Sequence, residues 1–70
     1  MLGAAVNGRD IAAIGFDPRE SVLEVQFGTG SVYQYFGVAW PVWEALMAAP
    51  LRGRAFSQLV RDQYQYQQIA

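Results

Sequence analysis

The sequence contains no cysteine, no histidine and no lysine. Without cysteine, no disulfide can staple the chain and no thiolate cage can hold a metal. Without histidine, the commonest general base and the commonest zinc ligand are both missing. Without lysine, all positive charge rests on five arginines, Arg9, Arg19, Arg52, Arg54 and Arg61, set against six carboxylates for a net charge of −1. Nonspecific nucleic-acid binding draws on a dense basic surface that releases counterions. This composition argues against such binding and leaves room only for a small arginine patch. No apolar run approaches the roughly 20 residues of a membrane span. Residues 1–6 lack the basic start and longer apolar stretch of a signal peptide. These absences favour a cytoplasmic protein with no membrane role and no cofactor.

What is present is a short chain rich in apolar side chains. Its 70 residues make one domain. A chain of this size buries only about 60% of the surface its unfolded form exposes, so its stability is marginal. Of the residues, 53% are apolar or aromatic, a surplus that on a small domain becomes a surface for a partner or for self-association.

The strongest local signal is a β-hairpin. In residues 22–27, Leu23, Val25 and Phe27 alternate with Val22, Glu24 and Gln26. After Gly28-Thr29-Gly30, residues 31–38 are crowded with aromatic and β-branched side chains that suit a pleated surface. Loop length decides the register. A three-residue loop with Gly30 left-handed places Tyr33 opposite Val25 and Tyr35 opposite Leu23, on the core face. A two-residue Thr29-Gly30 turn would instead bring Val32, Gln34 and Phe36 inward. The first is preferred, because the second buries a glutamine amide that needs partners. Upstream, residues 11–16 read as another strand. A bulge near Ala12-Ala13 would align Ile11 with Ile14 and Phe16. Asp17-Pro18 starts a turn, since proline fixes φ and aspartate bonds its own backbone. Residues 1–8 read as a flexible lead-in, with a turn signal at Asn7-Gly8, and residues 9–70 as the domain.

Past Val38 the period changes. Pro41 suits the first turn of a helix. Val42, Trp43, Leu46 and Ala49 then form one stripe, and Pro50 ends the helix. A second helix is expected from about Arg54 to Gln63, with Phe56, Leu59, Val60 and Tyr64 as its stripe. Residues 64–69 alternate tyrosine with glutamine and fit either a short C-terminal edge strand or a packed tail. The order predicts an α+β domain: a three-stranded antiparallel sheet followed by two helices on one face.

In this order and spacing the chain resembles the KTSC domain, a module named for the C-terminal extension of some lysyl-tRNA synthetases. The resemblance rests on Ile14-Gly15-Phe16-Asp17, on Leu23, Val25, Phe27 and Gly30, and on Tyr33-x-Tyr35. It continues through Val42-Trp43, Leu46 and Ala49, then Gly53 and Phe56, then Val60-Arg61 and Tyr64. The chain departs from that pattern at Ala39, Leu51 and Ser57, the last two in the corner between the helices. The resemblance implies an RNA-binding role.

Each candidate site has a plainer reading beside it. Tyr33 and Tyr35 could stack nucleobases, as sheet-borne aromatics do, or simply pack under the helices. Arg52, Arg54 and Arg61 could grip phosphates or a partner with their planar forks, or form a solvated face. Trp40, with Trp43 and Met47 nearby, could be a partner-docking residue, or tuck under the sheet edge. The pairs Asp17 with Glu20 and Glu24 with Glu44 invite an acid–base reading, but nothing nearby completes a catalytic set. The expectation is a non-enzymatic interaction module of bacterial or phage type. Its favoured partner is a protein, with the chain acting as adaptor or regulator, and RNA is the alternative.

Overall fold

The hairpin sets the frame. A computed structural model describes residues 2–5 and 11–70. In it Phe27 and Ser31 close a three-residue loop: the Phe27 N–H donates to Ser31 O at 2.8 Å and the Gly30 N–H to Phe27 O at 2.9 Å. Gly30 takes φ +96°, the left-handed conformation that this turn demands and that glycine adopts without penalty. The strands that follow from it, β3 (Val22–Phe27) and β4 (Val32–Phe36), pair with Leu23 opposite Tyr35 and Val25 opposite Tyr33. The three-residue alternative is therefore the one adopted. A Cβ at Gly30 would meet open space, so the cost of Gly30→Ala is conformational alone. That substitution is expected to lower stability by about 1–2 kcal/mol in a urea titration.

Strand β2 (Ile11–Asp17) pairs antiparallel with β3, and its register shifts between Ile11 and Ala13. The bulge at Ala12 returns Ile11, Ile14 and Phe16 to one face, where all three are buried. The turn into β3 is closed by Asp17, whose Oδ1 accepts from the Arg19 and Glu20 N–H groups at 3.0 and 3.3 Å.

Among the described residues the sheet has five strands, not the three expected. Strand β1 (Leu2–Ala5) pairs with β2 along one edge. Residues 2–5, read above as part of a flexible lead-in, are thus held by a ladder. Residues 6–8, and with them the Asn7-Gly8 turn, lie outside the described residues. At the other edge β5 (Tyr66–Gln68) pairs with β4, so the tyrosine–glutamine tail is an edge strand. The strand order is β1-β2-β3-β4-β5 and every pairing is antiparallel.

Between β4 and β5 the chain makes both helices. Helix α1 (Trp40–Ala48) carries Pro41 in its first turn and stops at Ala49, ahead of Pro50. Helix α2 (Arg52–Leu59) is shorter than the expected 54–63 and begins earlier. It stops because Val60 leaves helical geometry and Asp62 takes φ +64°, a conformation aspartate tolerates better than most residues. The Val60 and Arg61 N–H groups both donate to Phe56 O, which caps the end. Consequently Leu59, expected in the apolar stripe, is exposed, and the packed side chains are Phe56, Val60 and Tyr64.

Both helices cover the same face of the sheet. There Ile11, Ile14, Phe16, Leu23, Val25 and Tyr35 meet Trp43, Leu46, Phe56 and Val60 in one core. Trp43 stacks on Phe16 at 5.6 Å between centroids. The opposite face is wet: Gln34 Nε2 donates to Glu24 Oε1 at 3.3 Å there. Among the described residues no helix is long and apolar enough to cross a membrane.

Candidate functional site

The register brings aromatic side chains together at one end of the covered face. Tyr33 and Tyr35 on β4 point toward the helices with Tyr66, which sits opposite Tyr35 on β5. Phe27 reaches in from the end of β3 and Phe56 from α2. The rings contact one another in a continuous set. Phe27 and Tyr33 lie 5.3 Å apart, Tyr35 and Phe56 5.4 Å, and Tyr66 stands 5.6 Å from both Tyr33 and Tyr35. Edge-to-face geometry prevails around Phe56 and Phe27, the arrangement that aromatic quadrupoles favour.

These rings line an open groove of about 540 Å³ between the hairpin tip and α2. Gly53 and Ser57 form its helix side, Gly28, Thr29 and Ser31 its hairpin side, and Arg61 and Asp62 its rim beyond α2. Ser57 Oγ donates to Gly53 O at 3.2 Å, so its hydroxyl is already engaged along the helix. Tyr33 Oη donates to Gln68 Oε1 at 3.1 Å, which fixes that ring against β5. Among the described residues that line it, Arg61 and Asp62 are the charged ones and the walls are largely aromatic.

Tyr35 is 5% exposed. Burial pushes its phenol pKa above the usual 10.0, the guanidinium of Arg61 opposes this, and Tyr66, Tyr33 and Asp62 add to the rise. A phenol held neutral in the fold contributes stability below its unfolded pKa and loses it as pH climbs through the higher folded value. Stability should therefore fall above about pH 10. Tyr35→Phe should flatten that alkaline loss, as read from denaturation midpoints at rising pH.

The structure assembles some of the candidate residues and separates others. Tyr33, Tyr35 and Arg61 share the groove. Arg61 lies in the turn after α2, not along the helix as expected. Arg52 turns away, its guanidinium donating to Met47 O at 3.1 Å across the corner to α1. Arg54 is exposed on α2 and is not part of the groove wall. The three arginines thus do not form one patch around the tyrosines. Trp40 is the first residue of α1 and 45% exposed, its ring 6.1 Å from Phe16 and away from the groove lining. Glu24 lies on the uncovered sheet face and Glu44 on α1, so that carboxylate pair is not assembled. Among the described residues no cluster of three or more carboxylates could hold a metal ion.

Sequence reasoning missed Tyr66, Phe27 and Phe56 as site residues. Tyr66 had a signal: its alternation with glutamine, if read as a strand, would have set it beside Tyr35. Phe27 and Phe56 read as core, and they are core side chains that also face the groove.

Comparison with known proteins gives a consistent answer. A family model described as the KTSC domain matches residues 8–64; Tyr66 and the rest of β5 lie beyond that match. An uncharacterised protein of Stutzerimonas stutzeri is 36% identical over 70 residues, 99% of each chain. A lysine–tRNA ligase of Nostoc is 35% identical over 63 residues, which are 90% of this chain but 11% of the ligase. The crystal structure of a KTSC domain protein from Yersinia pestis superposes with a TM-score of 0.88 at 32% identity, covering 97% of this chain and 96% of that one. Sequence and fold agree across nearly the whole length, and this chain belongs to the KTSC domain family.

Proposed function

We propose that this chain is a non-catalytic protein-binding module and that the aromatic groove seats a segment of its partner. The observation that carries this reading is the joining of five rings, Phe27, Tyr33, Tyr35, Phe56 and Tyr66, around an open groove of about 540 Å³. Tyrosine, tryptophan and arginine are enriched in protein hot spots, the aromatics because they bury much area with few rotatable bonds. Trp40 offers a second, separate anchor on α1.

RNA binding is the second reading. It is favoured by Arg61 sharing the groove with Tyr33 and Tyr66, both accessible for stacking, and by relatives named as lysine–tRNA ligases. Against it, Arg52 and Arg54 do not join Arg61 at the groove, so few phosphates would be neutralised.

The test pairs two measurements on wild type and Arg61→Gln. One is capture of partners from a bacterial lysate with and without nuclease. The other is titration with single-stranded RNA at two salt concentrations. A partner that survives nuclease, with no RNA binding tighter than about 100 μM at low salt, supports the protein reading. RNA binding that weakens with salt and is lost in Arg61→Gln would replace it with the second.

A further inference from the structure

We propose that β5 is a self-association edge, at which two copies of this chain pair β5 against β5, antiparallel, about a two-fold axis through Gln67. The ladder with β4 determines which backbone groups are free. The Phe36 N–H donates to Gln65 O and the Ile69 N–H to Val32 O, while Gln34 lies opposite Gln67. In an antiparallel ladder the hydrogen-bonded residues alternate. Residues 65, 67 and 69 therefore turn their backbone groups toward β4. Tyr66 and Gln68 turn theirs away from the sheet, and neither takes part in a backbone hydrogen bond in a turn, loop or cap among the described residues.

An open edge is ordinarily blunted by lysine, proline, a bulge or covering chain. Residues 63–70 carry no charged side chain and no proline. Within Tyr66–Gln68 the pairing runs without a register shift; a bulge follows at Ile69-Ala70, whose N–H groups both donate to Val32 O, and ends the regular ladder there. Its apolar side chains are open to solvent, with Tyr66 58% and Ile69 46% exposed. Among the described residues of β5, no side chain repels a second strand.

The spacing selects a second copy as the occupant. The two outward-facing residues flank Gln67 symmetrically. Under a two-fold axis through Gln67, Tyr66 of each copy faces Gln68 of the other. Each such pair exchanges two N–H···O bonds, so all four outward donors and all four outward acceptors are satisfied at once. The two Tyr66 rings then lie diagonally across the new ladder, within reach of each other. The axis is perpendicular to the sheet, so both copies keep their helices on the same side and the two sheets become one. This pairing consumes both β5 edges and closes the assembly as a dimer. A three-residue ladder is small, which places the dimer among weak, dissociable interfaces.

The test is sedimentation equilibrium from about 10 μM to about 1 mM, the range of weak association, run beside amide hydrogen exchange. Wild type should pass from monomer to dimer. The Tyr66 and Gln68 amides should become protected as concentration rises, while the Gln67 amide is protected throughout. Gln68→Pro removes an outward donor and leaves the backbone ladder to β4 in place, while also removing the side-chain bonds of Gln68 to the Tyr33 hydroxyl and to Ala70 O. Two donors are lost per dimer, so the dimer dissociation constant should rise by about tenfold or more. Tyr66→Lys keeps every backbone group and should also weaken the dimer, by setting like charges across the axis, so the edge is probed even where the proline variant fails to fold. A wild type that stays monomeric throughout, a dimer whose Tyr66 and Gln68 amides ignore concentration, one indifferent to both substitutions, or growth beyond a dimer would each overturn the proposal.

Discussion

Phe56→Ala is expected to remove most of the protein's stability at 25 °C. Phe56 is buried and its ring meets Phe27 and Tyr35 edge-to-face at 6.0 and 5.4 Å. Truncating a buried phenylalanine removes its transfer free energy and leaves a cavity, together about 3–5 kcal/mol. A domain of this size has a total stability of only about 5 kcal/mol. Two features aggravate the loss. The cavity would open directly onto the groove, so water could enter it. The Phe56 carbonyl also receives both capping bonds at the end of α2, so a shift of this residue loosens the turn that carries Arg61 and Asp62. Leu46→Ala, fully buried on α1, should cost about 2–5 kcal/mol by the same mechanism without touching the groove. Chemical denaturation monitored by tryptophan fluorescence measures both. A loss below about 2 kcal/mol for either would show that the core lies elsewhere.

The second large effect is on binding. Gly53→Trp should abolish capture of the partner, a loss of at least about 2 kcal/mol, while the fold persists. Gly53 forms part of the groove wall. A Cβ built there meets nothing within 4 Å, so a large side chain at this lining position is expected to be tolerated by the fold and to crowd the groove. Gly53→Ala is the control. It fills almost none of the groove, and replacing a helical glycine should raise stability by about 0.5–1 kcal/mol. Partner capture unchanged in the tryptophan variant would remove the groove as the binding surface and leave the exposed Trp40 as the next residue to test.

Much of the sheet was legible because local rules fix it. The three-residue loop dictated the register of Tyr33 and Tyr35, and the spacing of Ile11, Ile14 and Phe16 required the bulge at Ala12. The edge strands were harder to read. Leu2-Gly3-Ala4-Ala5 has no β-branched residue, and β1 holds through backbone pairing with β2 that composition does not announce. The early end of α2 turns on Asp62, which adopts a left-handed conformation more often given to glycine or asparagine. The groove was only half legible. Tyr33 and Tyr35 stood out as a pair, but Phe56 and Tyr66 reach them from elements distant in sequence. The apparent arginine cluster dissolved because Arg52 satisfies a carbonyl at the end of α1, a role set by the corner between the helices and not by proximity along the chain.

The insertion of both helices between β4 and β5 also orders events in time. Tyr33 and Gln68 are 35 positions apart, so joining β5 to β4 closes a long loop at an entropic cost of about 3 kcal/mol beyond a fixed constant. The β3–β4 hairpin closes a loop of three residues and bears far less. Chain collapse should begin at that hairpin, recruit the helices, and zip β5 on last. In reverse, β5 should be the first segment to peel away from the native state, and each such opening would dismantle the Tyr66 wall of the groove while leaving the core intact.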